Sequence, residues 1–335
     1  MSTTIKDVAE MAGVSIATVS KFLNNIRISQ ENAVNIEESI KALNYQKNEI
    51  ASGLKVNRTK TVGVIVPRLV DVFSTDIVVS VEDRLSRLGY NVLVCDCGQD
   101  PQIMCTKLKL LLGKKVDGLI VFPLLESKEL IDELRKVTIP IVIVDQKIEG
   151  FDTVRVDNEG ASFEVTDYLI SKGHEKIAII CGPVFNYTSI ERYKGYTKAF
   201  RERDMDIPRQ FVFNTDYTTS GGYGCFMDIW KGPDKPTAVF GTNYQVSLGI
   251  LLAAREMNLK IGKDFSFFSF DNFELAQIVD PPLSTIIQET QLMGKEVSEI
   301  FLKRMNREAN ENNIIERVVP TRIIYTDSVT ENSKI

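Results

Sequence analysis

The stretch TIKDVAEMAGVSIATVSKFLN, residues 4–24, predicts two short helices joined by a tight turn. Apolar side chains recur at helical spacing in its first half: Ile5, Val8, Ala9 and Ala12. Thr4 caps this first helix, and Asp7 completes a pair that resembles a capping box. Gly13 supplies the backbone freedom that a sharp turn between helices needs. These residues therefore predict a pair of short helices.

A second helix is predicted to begin at Ser15, and its two faces differ in character. Its buried stripe consists of Val19, Phe22 and Leu23. The opposite face carries side chains that can enter a groove of DNA: Ile16, Ala17, Ser20 and Lys21. This arrangement predicts a helix-turn-helix, closed by a third helix over residues 30–44. An ordinary helical subdomain is the alternative, because amphipathic helix pairs are common.

The same stretch closely resembles the headpiece of the LacI/GalR family of bacterial transcription regulators. The resemblance continues through LNYQKNEIASGL (43–54), TKTVGVIVP (59–67), VDGLIVFP (116–123), IPIVIVD (139–145), VDNEGA (156–161), ERYKGY (191–196), PTAVFGTN (236–243) and SFDNFELAQIVDPPLSTIIQ (269–288). It covers all but the polar last ten or so residues. It implies a DNA-binding repressor whose periplasmic-binding-protein-like body holds a small-molecule effector between two lobes.

Independently of this resemblance, the sequence from Val62 onward has the pattern of an α/β protein. Apolar strand-like runs begin at Val62: VGVIV, NVLVC, GLIVF, PIVIVD, TVRVD, KIAIIC, FVFN, AVFG and FSFFSF. They alternate with helical patterns over 75–88, 159–172, 189–203, 245–258 and 289–306, as strands of parallel sheets covered on both faces do. There are too many strands for one compact sheet, so we expect two doubly wound lobes.

The predicted organisation has three parts. Residues 1–46 form the helix-turn-helix headpiece, 47–60 a hinge, and 61–330 the effector-binding and dimerisation domain. The family's fold implies that one lobe comprises about 61–159 plus 291–318. The other lobe then comprises about 160–290 plus 319–330.

Charge is divided unevenly along the chain. The net charge is −5, yet residues 1–60 hold eight Lys or Arg against six Asp or Glu. A mildly basic headpiece on an acidic body suits a protein that touches DNA with one end only. The chain has no apolar run of about 18 residues for a membrane helix, and its polar start does not resemble a secretion signal, so we expect a cytoplasmic protein.

Cysteine and histidine give little support to a metal or redox site. The five cysteines, Cys95, Cys97, Cys105, Cys181 and Cys225, match no zinc spacing and are expected to be reduced thiols. A redox or metal role for the Cys95–Cys97 pair is the alternative. The single histidine, His174, lies at a predicted helix-to-strand connection and is expected to serve a turn or cap. We expect no cofactor and no metal.

Polar residues follow several of the predicted strands. They are Asp145, Asp216, Tyr217, Asn243 and Asp271, and ligands of doubly wound sheets bind at such carboxyl ends. Taken singly, each has the alternative role of a turn or cap residue. The resemblance assigns effector contacts to Phe73, Ser74, Asn186, Thr188, Arg192, Tyr217, Asn243 and Asp271. We expect a sugar or sugar derivative as the ligand, while a structural ion pair between Arg192 and Asp271 is the alternative for those two residues.

The resemblance also assigns the DNA contacts. Sequence preference is expected from Ile16, Ala17, Lys21 and Arg27, and phosphate contacts from Ser15 and Thr18. The hinge segment 48–54 is too short to be a stable helix alone, so we expect DNA to order it. The family's matching Leu wedges into the minor groove, which implies the same role for Leu54; packing of Leu54 on the body is the alternative. A homodimer on a pseudo-palindromic operator is expected.

Several positions depart from the family's usual residues. Tyr244 stands where the family has Asp, Gln146 where it has Arg, and Asp71-Val72 where it has Asn-Pro. In the headpiece and hinge, Lys21 replaces Arg, while Lys47 and Ser52 replace Pro and Arg. The changes in the body predict an unusual effector.

Two other functions remain to be weighed against a regulator. A two-lobe solute receptor would share the body's fold but would have no helix-turn-helix. An α/β enzyme would need a nucleophile or general base, and the sequence has no P-loop, GxSxG or HExxH motif. GGYG at 221–224 does not follow a strand with dinucleotide-binding spacing. We therefore expect a regulator and not an enzyme.

Overall fold

The computed structural model describes residues 3–23, 26–45, 58–98, 100–123, 128–308 and 313–334. The chain divides into two compact units, Met1–Thr59 and Lys60–Ile335. Within the described residues, no helix combines the length and apolar character that crossing a membrane requires.

The N-terminal unit is a three-helix core, as the sequence predicts. Its helices are α1 (Ile5–Met11), α2 (Ile16–Leu23) and α3 (Gln30–Ala42). The fully buried side chains of this core are Val8, Val19 and Ile36. The Asp7 carboxylate accepts hydrogen bonds from the Thr4 amide at 2.7 Å and the Thr4 hydroxyl at 2.8 Å. Gly13 has a φ of 65°, which a residue with a Cβ adopts only at a cost, so the turn depends on glycine.

The larger unit contains two six-stranded sheets. The first has the order β11-β5-β4-β3-β1-β2 and is parallel throughout. Its strands are β1 (Thr61–Val66), β2 (Asn91–Asp96), β3 (Gly118–Val121), β4 (Ile141–Val144), β5 (Asp152–Val156) and β11 (Glu316–Val319).

The second sheet has the order β12-β10-β9-β8-β6-β7. Its strands are β6 (Ile177–Cys181), β7 (Val212–Asn214), β8 (Ala238–Gly241), β9 (Ser266–Phe270), β10 (Ser284–Gln288) and β12 (Thr321–Ile324). The edge strand β12 runs antiparallel to β10, and the other pairs are parallel. We call the two sheets with their helices the first and second lobes.

Helices cover both faces of each sheet. They are α4 (Val72–Ser86), α5 (Pro101–Gly113), α6 (Lys128–Arg135), α7 (Asn158–Ser171), α8 (Tyr187–Glu202), α9 (Thr219–Lys231), α10 (Tyr244–Glu256), α11 (Glu274–Ile278) and α12 (Thr290–Met305). In β1, Val62, Val64 and Val66 belong to one buried cluster while Ile65 belongs to another. Because side chains alternate across a strand, the two clusters lie on opposite faces of the sheet. The structure thus confirms the doubly wound fold.

The sequence pattern did not predict three of these strands, namely β10, β11 and β12. β11 is an edge strand in which Glu316, Arg317 and Val318 are exposed, so it lacks a continuous apolar run. Val319 pairs with Val156 in the first sheet, so the chain passes to the second sheet at Pro320, slightly later than the expected 318/319 division. α12 contributes Met293, Val297 and Phe301 to the first lobe's core.

His174 and the cysteines lie outside the cleft lining. His174 is fully buried and bonds through Nδ1 to the Thr237 hydroxyl and through Nε2 to the Thr330 carbonyl, both at 2.9 Å. It therefore ties the C-terminal segment to the second lobe, and burial lowers its pKa. All five cysteines are free, and burial raises the pKa of Cys181 to about 12.

Candidate functional site

A cleft of about 290 Å³ lies between the two lobes, at the carboxyl ends of strands from both sheets. Pro67 and Asp145 reach it from the first lobe, where they follow β1 and β4. Asn243 and Asp271 reach it from the second lobe, where they follow β8 and β9. All eight predicted effector residues line this one cleft: Phe73, Ser74, Asn186, Thr188, Arg192, Tyr217, Asn243 and Asp271.

Asp271 is held in place by two donors. Its Oδ2 accepts the backbone amide of Tyr244 at 2.9 Å, and its Oδ1 accepts the side-chain amide of Gln288. Its φ of 75° lies in the left-handed region, which turns the chain sharply after β9. Each carboxylate oxygen has a second lone pair, so Asp271 can still accept donors from a ligand.

Arg192 is buried beneath the cleft and makes no ion pair with Asp271. Its Nε donates to Asn158 Oδ1 at 2.8 Å, and its Nη1 donates to the Thr242 carbonyl. The guanidinium carbon lies 3.6 Å from the centroid of the Phe270 ring, a cation–π contact. Only two of five N–H donors are used in these bonds, so the guanidinium keeps donors for a ligand. The alternative of a structural pair with Asp271 is wrong.

Tyr217 is positioned by a close backbone approach. Its φ is 60°, and a Cβ placed on Gly182 would lie 2.2 Å from its ring, so the ring fits only over a glycine. Gly182 directly follows β6, which brings the tyrosine ring over the end of the second sheet. An aromatic face at this point can cover the apolar side of a ring-shaped ligand.

Helix caps supply several of the other lining residues. Asn243 Oδ1 caps α10 by accepting the Val246 amide at 2.8 Å, and Asn186 Oδ1 caps α8 by accepting the Ser189 amide at 3.1 Å. The Asp71 carboxylate caps α4 by accepting the Ser74 amide at 3.2 Å and the Ser74 hydroxyl at 2.6 Å. The cap role expected as an alternative is therefore present at Asn243, but it uses the amide oxygen and leaves the NH₂ group available.

The predicted effector set leaves out several residues of the cleft lining, among them the polar residues Asp71, Asp145 and Gln288. Asp145 Oδ1 and Gln288 Oε1 are shielded from solvent and have no hydrogen-bond partner among the described residues. Burial raises the pKa of Asp145 to about 7; Arg192 opposes the shift, while Asp271 and Asp71 add to it. The sequence analysis names Asp145 as a polar residue after the PIVIV strand but does not include it in the effector set. It does not single out Gln288, because β10 lacks a distinctive pattern.

The second candidate site is the outer face of α2. Ile16, Ala17 and Lys21 are exposed, and Ile16 is 41% exposed although it is apolar. Ser15 starts the helix: its hydroxyl accepts the Thr18 amide at 3.1 Å and lies 2.8 Å from the Thr18 hydroxyl. Arg27, beyond the helix, is also exposed. An exposed helix face with small, apolar and cationic side chains fits the major groove.

Comparison with known proteins decides the family. Residues 4–48 match the model for bacterial regulatory proteins of the lacI family. Residues 59–323 match the model for periplasmic binding proteins and the sugar binding domain of the LacI family. The chain belongs to the LacI family.

Relatives of this LacI-family chain match it along nearly their full length. The HTH-type transcriptional repressor PurR of Histophilus somni (strain 2336) is 34% identical over 325 residues, which cover 96% of this chain and 97% of that protein. Catabolite control protein A of Priestia megaterium is 30% identical over 332 residues, covering 98% and 99%. The protein is therefore a DNA-binding transcriptional regulator with a ligand-binding effector domain.

Solved LacI-family structures share the fold. The Lac repressor bound to ONPG in its repressed state superposes with a TM-score of 0.88 at 25% identity, covering 98% of this chain and all of that one. The complex of the transcriptional regulator CelR with cellobiose gives a TM-score of 0.74 at 26% identity, covering 97% and 99%.

One predicted DNA contact of this LacI-family chain cannot be placed. Leu54 lies outside the described residues, as do 46–57 as a whole. Its role in the minor groove and the alternative of packing on the body both stay predictions.

Proposed function

We propose that this LacI-family regulator represses transcription as a homodimer on a pseudo-palindromic operator, and that a small polyhydroxylated molecule in the cleft controls its operator affinity. The supporting observation is that Asp271, Arg192 and Asn243 line one cleft of about 290 Å³ in a chain whose headpiece exposes a groove-compatible helix face. A sugar or sugar derivative is the ligand class we favour.

The chemistry of the cleft supports a carbohydrate. Asp271 accepts hydroxyl donors, the unused N–H groups of Arg192 and the Asn243 amide donate to ring and hydroxyl oxygens, and Tyr217 covers the apolar face of the ring. Phe73, Ser74, Asn186 and Thr188 complete the contacts in this proposal. The cellobiose complex of CelR, a structural relative, supports the same class.

In the headpiece, Ile16, Ala17, Lys21 and Arg27 contact base edges, while Ser15 and Thr18 hold phosphates. Leu54 wedges into the minor groove at the operator centre. Residues 1–46 bind DNA, 47–60 act as the hinge, and 61–330 bind the effector and form the dimer. Its site of action is chromosomal DNA, in the cytoplasm.

The effector acts by changing the separation of the two hinges in the dimer. Movement that brings them together favours operator binding, and movement that separates them opposes it. The same architecture serves an inducer or a corepressor, because either direction of lobe movement is available to a ligand between the lobes.

Binding-site selection followed by a ligand titration tests this proposal. The full-length protein selects its operator from random DNA, and fluorescence anisotropy then measures operator affinity with and without sugars, sugar phosphates and nucleobases. We expect the selected operator to be a pseudo-palindrome. We also expect at least one carbohydrate among the tested compounds to shift the operator affinity. Response to a nucleobase alone would refute the sugar assignment, and selection of no sequence would refute the operator assignment.

A further inference from the structure

The effector cleft carries more negative charge than its cations neutralise. Asp71, Asp145 and Asp271 all line it, and the cations among its described lining residues are Arg192 and Arg68. Burial is the main cause of the raised pKa of Asp71 and of Asp145, and the neighbouring carboxylates add to both shifts. Because all three carboxylates line this one cleft, they repel one another when ionised.

Neither arginine pairs with these carboxylates. Arg192 donates to Asn158 Oδ1 and the Thr242 carbonyl, which are neutral, and acts on Asp145 through its charge without a direct ion pair. Arg68 is exposed, and its charge acts on Asp96, outside the cleft. Across the described residues, no Lys or Arg nitrogen lies within 4.0 Å of a carboxylate oxygen of Asp71, Asp145 or Asp271. The charge of Arg192 lowers the pKa of Asp145 and so offsets part of this negative charge, but three ionised carboxylates against two arginines leave the lining with an excess of negative charge.

The helix N-termini at the cleft contribute partial positive charge, but several of their amides are already occupied. The first turns of α4, α8 and α10 are capped by Asp71, Asn186 and Asn243, and the Tyr244 amide is taken by Asp271. These four amides already have acceptors from the protein itself, so fewer backbone donors are left for an anionic ligand.

Besides the Tyr217 hydroxyl, two shielded acceptors in the same cleft have no hydrogen-bond partner among the described residues. Gln288 is only 9% exposed, and its NH₂ group faces Asp271 because an ionised carboxylate can only accept. Its carbonyl Oε1 is thereby left as a buried acceptor with no partner among the described residues, and Asp145 Oδ1 is another. A buried acceptor without a donor is costly, so a donor-rich ligand would relieve both.

We infer that the effector carries a protonated amine beside its hydroxyl groups, as an amino sugar does, with the ammonium at Asp145 and Gln288 Oε1 accepting a further donor. This inference rests on the proposed function, because it specifies the ligand of the same cleft. An ammonium supplies three N–H donors and a positive charge in one small group. A hydroxyl in the same position supplies one donor and no charge.

Matched ligand sets test the inference. Isothermal titration calorimetry on the full-length protein at pH 7, in amine-free phosphate buffer, compares glucosamine, galactosamine and mannosamine with their N-acetyl and their hydroxyl counterparts. At least one amine should bind tenfold or more tightly than both of its neutral counterparts, which corresponds to about 1.4 kcal/mol.

Two variants locate the charge. Asp145→Asn removes the carboxylate, keeps an acceptor and tolerates the φ of 61° at this position, so it should fold and lose the amine preference. Asp228→Asn changes an exposed carboxylate in α9 that does not line the cleft, and it should keep the preference.

The outcomes separate this inference from the proposed function. If a neutral sugar binds as tightly as its amine in every set and still shifts operator affinity, the inference fails and the proposed function stands. An amine preference that survives Asp145→Asn also overturns the inference. If no sugar of either kind binds, both fail.

Discussion

The backbone amide of Tyr244 donates to the Asp271 carboxylate at 2.9 Å, which joins the end of β9 to the first turn of α10. Gln288 holds the other oxygen from the neighbouring strand β10. The carboxylate is thus fixed before any ligand arrives, and a ligand need not pay to order it. The donor is the backbone amide of residue 244. This hydrogen bond therefore does not depend on the acidic side chain that the family usually has at that position.

Asp271→Ala should remove the ligand response while leaving DNA binding in the absence of ligand unchanged. Hydrogen bonds to a charged group contribute about 1.5–3 kcal/mol, so calorimetry should show at least a tenfold loss of effector affinity. Asp271→Asn, which tolerates the left-handed backbone, separates loss of charge from backbone strain. Asp264→Ala, which alters a carboxylate away from the cleft lining, is the control. Unchanged effector affinity in Asp271→Ala would exclude the role.

Lys21→Ala should relax base choice at one position of each half-site and cost about 1–3 kcal/mol, because a base contact carries sequence information. Thr18→Ala is the comparison, since loss of a phosphate contact weakens all sequences alike. Binding-site selection with each variant measures the difference. If Lys21→Ala weakened every sequence equally, Lys21 would be a phosphate contact instead.

Leu54→Ala should weaken operator binding and reduce DNA bending, because a wedge between base pairs would be lost. Effector affinity in the free protein should not change. Gel-shift phasing measures bending and anisotropy measures affinity. Normal bending with normal operator affinity would eliminate the wedge and favour packing of Leu54 on the body.

Two glycines of α9 should respond oppositely to alanine. A Cβ on Gly222 would lie 2.5 Å from the Val246 carbonyl oxygen in α10, whereas a Cβ on Gly224 meets nothing within 4 Å. Gly222→Ala forces two helices apart and should destabilise the protein by about 1–3 kcal/mol. Gly224→Ala should stabilise it by about 0.4–1 kcal/mol by restricting the unfolded chain. Thermal unfolding of both variants measures the two changes in stability. Equal changes would contradict the close packing of the two helices.

Asp145 should make stability depend on pH in an unusual direction. Its folded pKa of about 7 lies above the ordinary value of 3.8, so the folded state binds more protons between those values and stability falls as pH rises through them. Asp145→Asn cannot titrate and should gain about 2 kcal/mol relative to wild type between pH 5 and pH 8. His174 titrates in both proteins and cancels in the difference. A pH-independent difference would show that Asp145 is not perturbed.

Local sequence determined the elements and the family. The helix-turn-helix follows from apolar spacing, the Thr4–Asp7 cap and Gly13, all of which act within one or two helical turns. The nine apolar runs predicted their strands because burial on both faces leaves a continuous apolar pattern. The edge strand β11 was not predicted, because its exposed residues lack a continuous apolar pattern.

Tertiary structure decided what the cleft can bind. Arg192, Asn158 and Thr242 are far apart in sequence, and only the packing of α8 against α7 and β8 makes their hydrogen bonds and excludes a pair with Asp271. The unpartnered acceptors of Asp145 and Gln288 likewise come from different sheets. Hydrogen-bond satisfaction and charge balance depend on distances between such groups, and no local pattern of residues encodes those distances.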